Sequence, residues 1–305
     1  MNIIKKIKRA LTTKHYWQMK RLYKNAEKYS DREYIEKLFY YQVGYKPNLD
    51  NPQSYNEKIQ WLKLNDHNPL YTKLVDKVDA KDYVAKVLGS YDNIIPTIAV
   101  YERVEDIDFD KLPNQFVLKC SHDSGTVFVC DDKAKFDKEK CFSRLRERLN
   151  FNYFYGNREW PYKDVPHRII CEKYMSDGSG KGLVDYKFFC FDGVPKMVYV
   201  GSARVGSQEL DHFDMDFNLL PFERYFHHAK ETPTKPENFD EMRQIAEKLS
   251  KGFTHVRVDL YDINGKIYFG ELTFHPGAGF RPFYPVEWDY KVGEWLHLPI
   301  NNNIK

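Results

Sequence analysis

The stretch that most constrains this chain is residues 256–279, VRVDLYDINGKIYFGELTFHPGAG. In its first half Val256, Val258 and Leu260 alternate with Arg257, Asp259 and Tyr261, so a strand there has one apolar face and one face carrying both charges. In its second half Ile267, Phe269, Glu271 and Thr273 share a face. The pattern is a β-hairpin, and its turn decides whether the two charged faces coincide. A two-residue loop at Asn264-Gly265 sets Asp259 opposite Gly270 and turns Glu271 away. Asp at the first position and Gly at the fourth of Asp262-Ile263-Asn264-Gly265 suit a type I turn closed by a glycine bulge better. That three-residue loop pairs Asp259 with Phe269 and Arg257 with Glu271. Asp259 and Glu271 then become diagonal neighbours, roughly 7–8 Å apart at the backbone.

Two convergent carboxylates are costly to bury without compensation. Arg257 can neutralise one of them, or Mg2+ can take both as hard oxygen ligands. A solvated face of an edge hairpin is the plain reading of the same residues. The continuation weighs against it. Thr273 adds an oxygen on that face, and His275-Pro276-Gly277-Ala278-Gly279 is a glycine-bearing turn whose backbone can approach an anion.

Phe116-Val117-Leu118-Lys119 reads as a strand ending in a lysine, followed by the hydroxyl-rich loop Ser121-His122-Asp123-Ser124-Gly125-Thr126. Such a loop can donate N–H and O–H groups to phosphates while the lysine supplies charge. Taken alone it reads first as an ordinary hairpin loop, since neither GxxxxGK[ST] nor GxGxxG occurs. Glu172-Lys173-Tyr174 sets a carboxylate beside backbone able to read a flat heterocycle, and Lys187 stands in Asp185-Tyr186-Lys187-Phe188. By themselves both read as charged strand positions. His227-His228 has no partner at metal-ligand spacing and reads as a surface pair.

Length and composition bound the rest. The chain has 305 residues with 42% apolar and 30% charged residues, which excludes disorder and disulfide-dense miniproteins. A net charge of +3 makes no case for nucleic acid. Five cysteines without a CxxC pair read as idle thiols in a reducing compartment, and no apolar run or signal-peptide core directs the chain through a membrane. A cytoplasmic protein is expected. Before Glu27 the chain carries eight Lys or Arg and no acid, with Ile3, Ile7 and Leu11 at helical spacing. Residues 1–24 therefore suit the inner face of an anionic membrane, and equally a helix docked on its own domain.

Along the chain, residues 1–30 read as that basic helix and 31–112 as a helical region. A capping box, Ser54 with Glu57, opens one helix, and a second is expected over 71–88 with Gly89 as its cap. Strands follow at 116–119, 126–130, 168–175, 186–191 and 196–201, with helices at 138–149 and 238–250. The order defines an α+β fold in lobes, divided as 113–176 and 177–305, in place of a regular βαβ alternation.

Asn51-Pro52, Tyr55-Asn56-Glu57-Lys58-Ile59-Gln60-Trp61-Leu62, Asp76-Lys77, Phe116-Val117-Leu118-Lys119, Cys171-Glu172-Lys173-Tyr174, Asp185-Tyr186-Lys187-Phe188-Phe189, Arg257-Val258-Asp259-Leu260-Tyr261 and Phe269-Gly270-Glu271-Leu272-Thr273-Phe274 occur in this order. Together, over roughly residues 31–298, they resemble the TupA-like ATP-grasp family of bacterial capsule and cell-wall polysaccharide genes. The resemblance implies an ATP-grasp fold, two α+β lobes gripping ATP, preceded by a helical N-terminal segment. It implies that Lys77 and Lys119 contact ATP phosphates and that Ser121, Ser124, Gly125 and Thr126 belong to a loop closing over them. Glu172 and the backbone of Lys173 and Tyr174 would hold the adenine edge, with Lys187 nearby. Asp259 and Glu271 would bind Mg2+, and Arg257 would stabilise the transferred phosphoryl group. Many members carry Asn two residues after the metal-binding Glu; here Thr273 stands there, with one oxygen on a shorter side chain.

The implied reaction joins a carboxylate to an amine through an acylphosphate. The genomic company of the family points to a uronic acid of a surface glycan or its precursor, and to an amino acid or amino alcohol. A glycosyltransferase, with Asp214-Met215-Asp216 as its acidic pair, and a non-catalytic glycan-binding scaffold are the rival readings.

Overall fold

The computed structural model describes residues 15–180, 182–202, 210–224 and 226–299. Ile3, Ile7, Leu11 and the basic residues before His15 lie outside the described residues. Helix α1 (Tyr16–Lys24) is followed by α2 (Asp31–Val43) and α3 (Tyr55–Asn65). The expected capping box at α3 is present in both halves: Ser54 Oγ accepts from the Glu57 N–H, and Glu57 Oε2 accepts from the Ser54 N–H.

Residues 71–88 are two helices and not the expected one. α4 (Pro69–Val75) and α5 (Asp79–Leu88) are separated because Asp76 is extended, with φ −73° and ψ 121°. Its carboxylate explains the break. Oδ1 accepts from the Val78 N–H at 2.8 Å, and Oδ2 pairs with Arg168 at 2.5 Å. A side chain that caps the next turn and holds a distant arginine outweighs one more turn of helix. Lys77 stands in that gap. Gly89 caps α5 in the left-handed conformation, as expected.

Two antiparallel sheets follow. The first has the order β1-β4-β2-β3, built from β1 (Thr97–Tyr101), β2 (Phe116–Cys120), β3 (Val127–Cys130) and β4 (Ile169–Lys173). β1, where residues 93–101 read as a connection entering a short strand, forms its outer edge beside β4. Helix α6 (Lys138–Leu149) covers this sheet through Cys141, Phe142 and Leu145, packed with Phe116 and Leu118. The second sheet has the order β7-β6-β5-β8-β9: β5 (Val184–Phe191), β6 (Val194–Ser202), β7 (Leu210–Phe213), β8 (His255–Ile263) and β9 (Lys266–Thr273). Helix α7 (Phe239–Ser250) covers one face with Phe239, Met242 and Leu249 against Phe188 and Val258. On the other face Phe189 and Met197 pack with Tyr55, Ile59 and Leu62 of α3 and with Val292 of α8 (Glu287–Trp295). This alternation of apolar faces is what fixes β5 between two layers.

All five cysteines are buried free thiols. Among the described residues no helix is long and apolar enough to cross a membrane.

Candidate active site

The β8–β9 hairpin closes differently from the expectation above. Ile263 pairs with Lys266, so Asn264-Gly265 is a two-residue loop, and both residues have positive φ, 53° and 81°. That is the type I′ geometry that matches strand twist. The register then slips by one between Asp259 and Leu260: Leu260 pairs with Phe269, but Asp259 pairs with Glu271. The extra residue is Gly270, where a Cβ would stand 3.1 Å from the Asp259 carbonyl and 3.1 Å from the Tyr261 ring. Arg257 consequently faces Thr273 and not Glu271, and Asp259 and Glu271 are direct and not diagonal partners. The two acids do share a face, but a β-bulge in β9 achieves it, in place of a bulged turn.

On β5, Lys187 pairs with Asp259. Lys187, Asp259 and Glu271 therefore form one row across three adjacent strands, where facing side chains meet. Arg257 clamps the row. Its Nε donates to Asp259 Oδ1 at 2.6 Å, and its Nη2 donates to Asp259 Oδ2 and Glu271 Oε1, both at 2.7 Å. Lys187 Nζ donates to Asp259 Oδ2 at 2.7 Å and pairs with Asp185 at 3.2 Å. The Asp259 side chain is 1% exposed, whereas that of Glu271 is 38% exposed. Burial pushes the Glu271 carboxyl up, but Arg257, with Lys187 and Lys77 behind it, more than offsets this and holds it at about 2. Burial pulls Lys187 down, and Asp259 more than restores it. The Thr273 hydroxyl donates to Glu271 Oε1 at 3.1 Å, so its proton is spent on orienting that carboxylate.

A second charged group sits on the four-stranded sheet. Glu172 pairs with Lys119 at 2.6 Å and with Lys81 at 2.5 Å. Burial raises its carboxyl, and the two lysines outweigh burial and hold it below the ordinary range. Lys81 also donates to the Ile95 carbonyl and to Thr97 Oγ1, each at 2.8 Å. The sequence reading did not include Lys81. Lys81 lies in the first turn of α5, and nothing in the local sequence sets it apart from the exposed Lys86 of the same helix. The Lys173 N–H donates to the Pro96 carbonyl at 2.9 Å, so that donor is engaged within the protein.

Lys77 Nζ donates to the carbonyl of Asp123, at the foot of the loop 121–126. That loop is anchored at both ends. Ser121 Oγ donates to the Pro166 carbonyl, and Thr126 Oγ1 donates to Asp123 Oδ2, which also holds Arg148 at 2.6 Å. Only Ser124 and Gly125 at its tip are exposed. A cavity of about 870 Å3 lies over Arg257, Glu271 and Thr273 and reaches Ser124; Gly125 and Thr126 line an adjoining one of about 420 Å3. Glu159 and His275 also line the larger cavity, and no sequence signal had marked Glu159. The turn at His275–Gly279 is held against α3, where Gln60 Nε2 donates to the Ala278 and Gly279 carbonyls at 3.0 and 2.7 Å.

The rival motifs are occupied otherwise. Asp214 accepts from the N–H groups of Asp216 and Asn218 and from Asn218 Nδ2, closing its own turn after β7. His227 and His228 turn to different acids, Glu223 and Asp211. Among the described residues no group of three or more His, Cys, Asp or Glu could hold a metal.

Two antiparallel sheets, each bearing buried acid held by lysine or arginine, with a cavity over Arg257 and Glu271, are the elements of an ATP-using enzyme fold. The chain belongs to the TupA-like ATP-grasp family, whose model matches residues 57–297. No curated protein matches it in sequence. Similar solved structures include D-alanine–D-alanine ligase from Bacillus anthracis complexed with ATP, at 18% identity and TM-score 0.39, covering 66% of this chain and 55% of that one. D-alanine–D-alanine ligase from Helicobacter pylori matches at 14% identity and TM-score 0.39, covering 73% and 61%. D-cycloserine synthetase DcsG matches at 17% identity and TM-score 0.36, covering 75% and 72%. The chain thus spans less than two thirds of the length of the D-alanine ligases it resembles.

Proposed function

We propose that the chain is an ATP- and Mg2+-dependent carboxylate–amine ligase. The single observation that carries this is the Lys187–Asp259–Glu271 row clamped by Arg257 beside a cavity large enough for two substrates. The donor set fits Mg2+. It offers two carboxylates and few other ligands, and that ion takes most of its shell from phosphates and water. Glu271 supplies the carboxylate open to the cavity, and Asp259 joins by loosening its contacts with Arg257 or Lys187. When bound, Mg2+ supplies charge neutralisation between the nucleotide phosphates and an incoming carboxylate.

The chain's own residues do the rest. Lys119 and Lys77 bind phosphates as point charges, with Ser124 and Gly125 at the loop tip closing over them. Glu172 holds Lys119 and Lys81 in place, beside the backbone of Lys173 and Tyr174 that meets the adenine edge. Arg257 stabilises the charge that develops on the transferred phosphoryl group. The substrate carboxylate becomes an acylphosphate, and an amine displaces phosphate to leave an amide. The cavity rim bears Lys20 and Arg281, which suits an anionic partner such as a uronic acid of a surface polysaccharide or its precursor. Peripheral contact with the inner membrane through residues 1–24 belongs to the same proposal. Trp17, 64% exposed on α1, supports it, and Lys20 of that helix borders the cavity.

The test is phosphate release from Mg-ATP by the full chain with glucuronic or galacturonic acid and glycine or 2-aminoethanol. Release that rises with both acid and amine is the expected result; release indifferent to the amine overturns the ligase reading.

A further inference from the structure

The wall of the large cavity beyond Arg257 and Glu271 holds a second buried acid with no use in the scheme above. Glu159 is 4% exposed, yet it lines the cavity. Its hydrogen bond from Asn157 Nδ2 is long, 3.5 Å, and among the described residues it has no ion pair within 4 Å. Buried carboxylates are ordinarily paired or well hydrogen-bonded. Lys63, the nearby cation that offsets its burial, instead gives its ammonium to the Asn157 carbonyl at 2.8 Å and sits 4.1 Å from the Phe280 ring centroid. An independent observation lies on the same wall. His275 is 3% exposed, lines the cavity, and its Nδ1 is buried without a hydrogen-bond partner. An under-satisfied acceptor and an orphaned ring nitrogen on one cavity wall, next to the phosphoryl-transfer cluster, describe a site prepared for a donor-rich ligand. A primary ammonium, with three N–H donors and a positive charge, satisfies the carboxylate and, with His275 in its Nε2–H tautomer, the Nδ1 lone pair as well.

We infer that Glu159 and His275 form the subsite for the amine substrate, with Glu159 holding its ammonium and accepting one proton from it. This rests on the ligase reading only for the chemistry that follows binding. In that step the ammonium gives one proton to Glu159, and the freed lone pair forms the C–N bond to the acyl carbon. The acyl C–O bond to phosphate breaks, and phosphate leaves with that electron pair and takes up a second N–H proton. Other charged and titratable groups around Glu159 are Lys63, Arg257, Glu271, Tyr153 and Tyr162. The burial that drives its carboxyl above the ordinary range suits a proton acceptor.

Saturation-transfer NMR on the full chain with 2-aminoethanol tests binding without any turnover. Binding by the wild type, and weakening of at least about tenfold in Glu159→Gln with retention in Glu159→Asp, is the expected result. Ethylene glycol, the uncharged analogue, reports on the wild type alone should the substituted chain not fold, and is expected to bind far more weakly. Equal binding of the two ligands, no binding of 2-aminoethanol, or undiminished binding by folded Glu159→Gln overturns the subsite. A hydroxamate assay separates the two readings. Hydroxylamine is largely unprotonated at neutral pH, so Glu159→Gln is expected to slow glycine-dependent phosphate release while sparing hydroxamate formation. Binding lost in Glu159→Gln alongside no amine-dependent turnover in the wild type keeps the subsite and removes the ligase.

Discussion

On the four-stranded sheet one carboxylate, Glu172, is held between two lysines; on the five-stranded sheet two carboxylates, Asp259 and Glu271, share Arg257 and Lys187. The first group has one more lysine than acid, whereas the second, counting Asp185 on Lys187, sets three carboxylates against two cations. Burying charge is tolerable in both because every buried carboxylate has a cation against it, but the two groups differ in the sign of what is left over. On the reading proposed above, the surplus of lysine charge suits phosphate, and the group with one open carboxylate suits Mg2+.

That contrast can be broken most severely at Arg257. Among the described residues, Arg257→Ala leaves the buried Asp259 with Lys187 as its one remaining ion-pair partner and the half-open Glu271 beside it with none, and we expect about 3 kcal/mol of lost stability in urea unfolding. A loss below about 1 kcal/mol, the range of exposed pairs, contradicts the clamp. Glu172→Gln leaves Lys81 and Lys119 without their acid, but Lys119 is partly exposed and can turn to solvent. Its expected cost is smaller, about 2–3 kcal/mol on the same measure.

The pH dependence of stability sharpens the same point. The Glu172 carboxyl is depressed in the folded chain, so its contribution is present above the ordinary value of 4.5 and is lost as pH falls from there through the depressed value. Thermal melts of the wild type should fall across that window more steeply than those of Glu172→Gln; parallel curves contradict the assignment. The smallest effect is expected at Gly270. A Cβ there meets the Asp259 carbonyl and the Tyr261 ring at 3.1 Å, so Gly270→Ala should cost about 1–2 kcal/mol. If Gly270→Ala melts as the wild type does, the bulge carries no strain-sensitive packing.

Much of the fold was legible because it is written in short-range patterns. The alternation in β8, the Ser54–Glu57 capping box and the Gly89 cap each depend on residues within a turn of one another. The break at Asp76 was not legible, because half its cause is Arg168, far along the chain. In the candidate site, strand faces mark Arg257, Asp259, Glu271 and Thr273, and the family resemblance alone marks Lys187, while Lys81 and Glu159 go unmarked because nothing local distinguishes a helical lysine or a loop glutamate.

The sequence by itself determined which charges the hairpin carries and that they alternate with a core-facing apolar set, since a strand's two-residue period follows from backbone geometry alone. Only the tertiary structure decided that Asp259 faces Glu271. Pairing register is settled by contacts between strands, and here one glycine, pressed against the facing backbone, moves every partner beyond it by one residue.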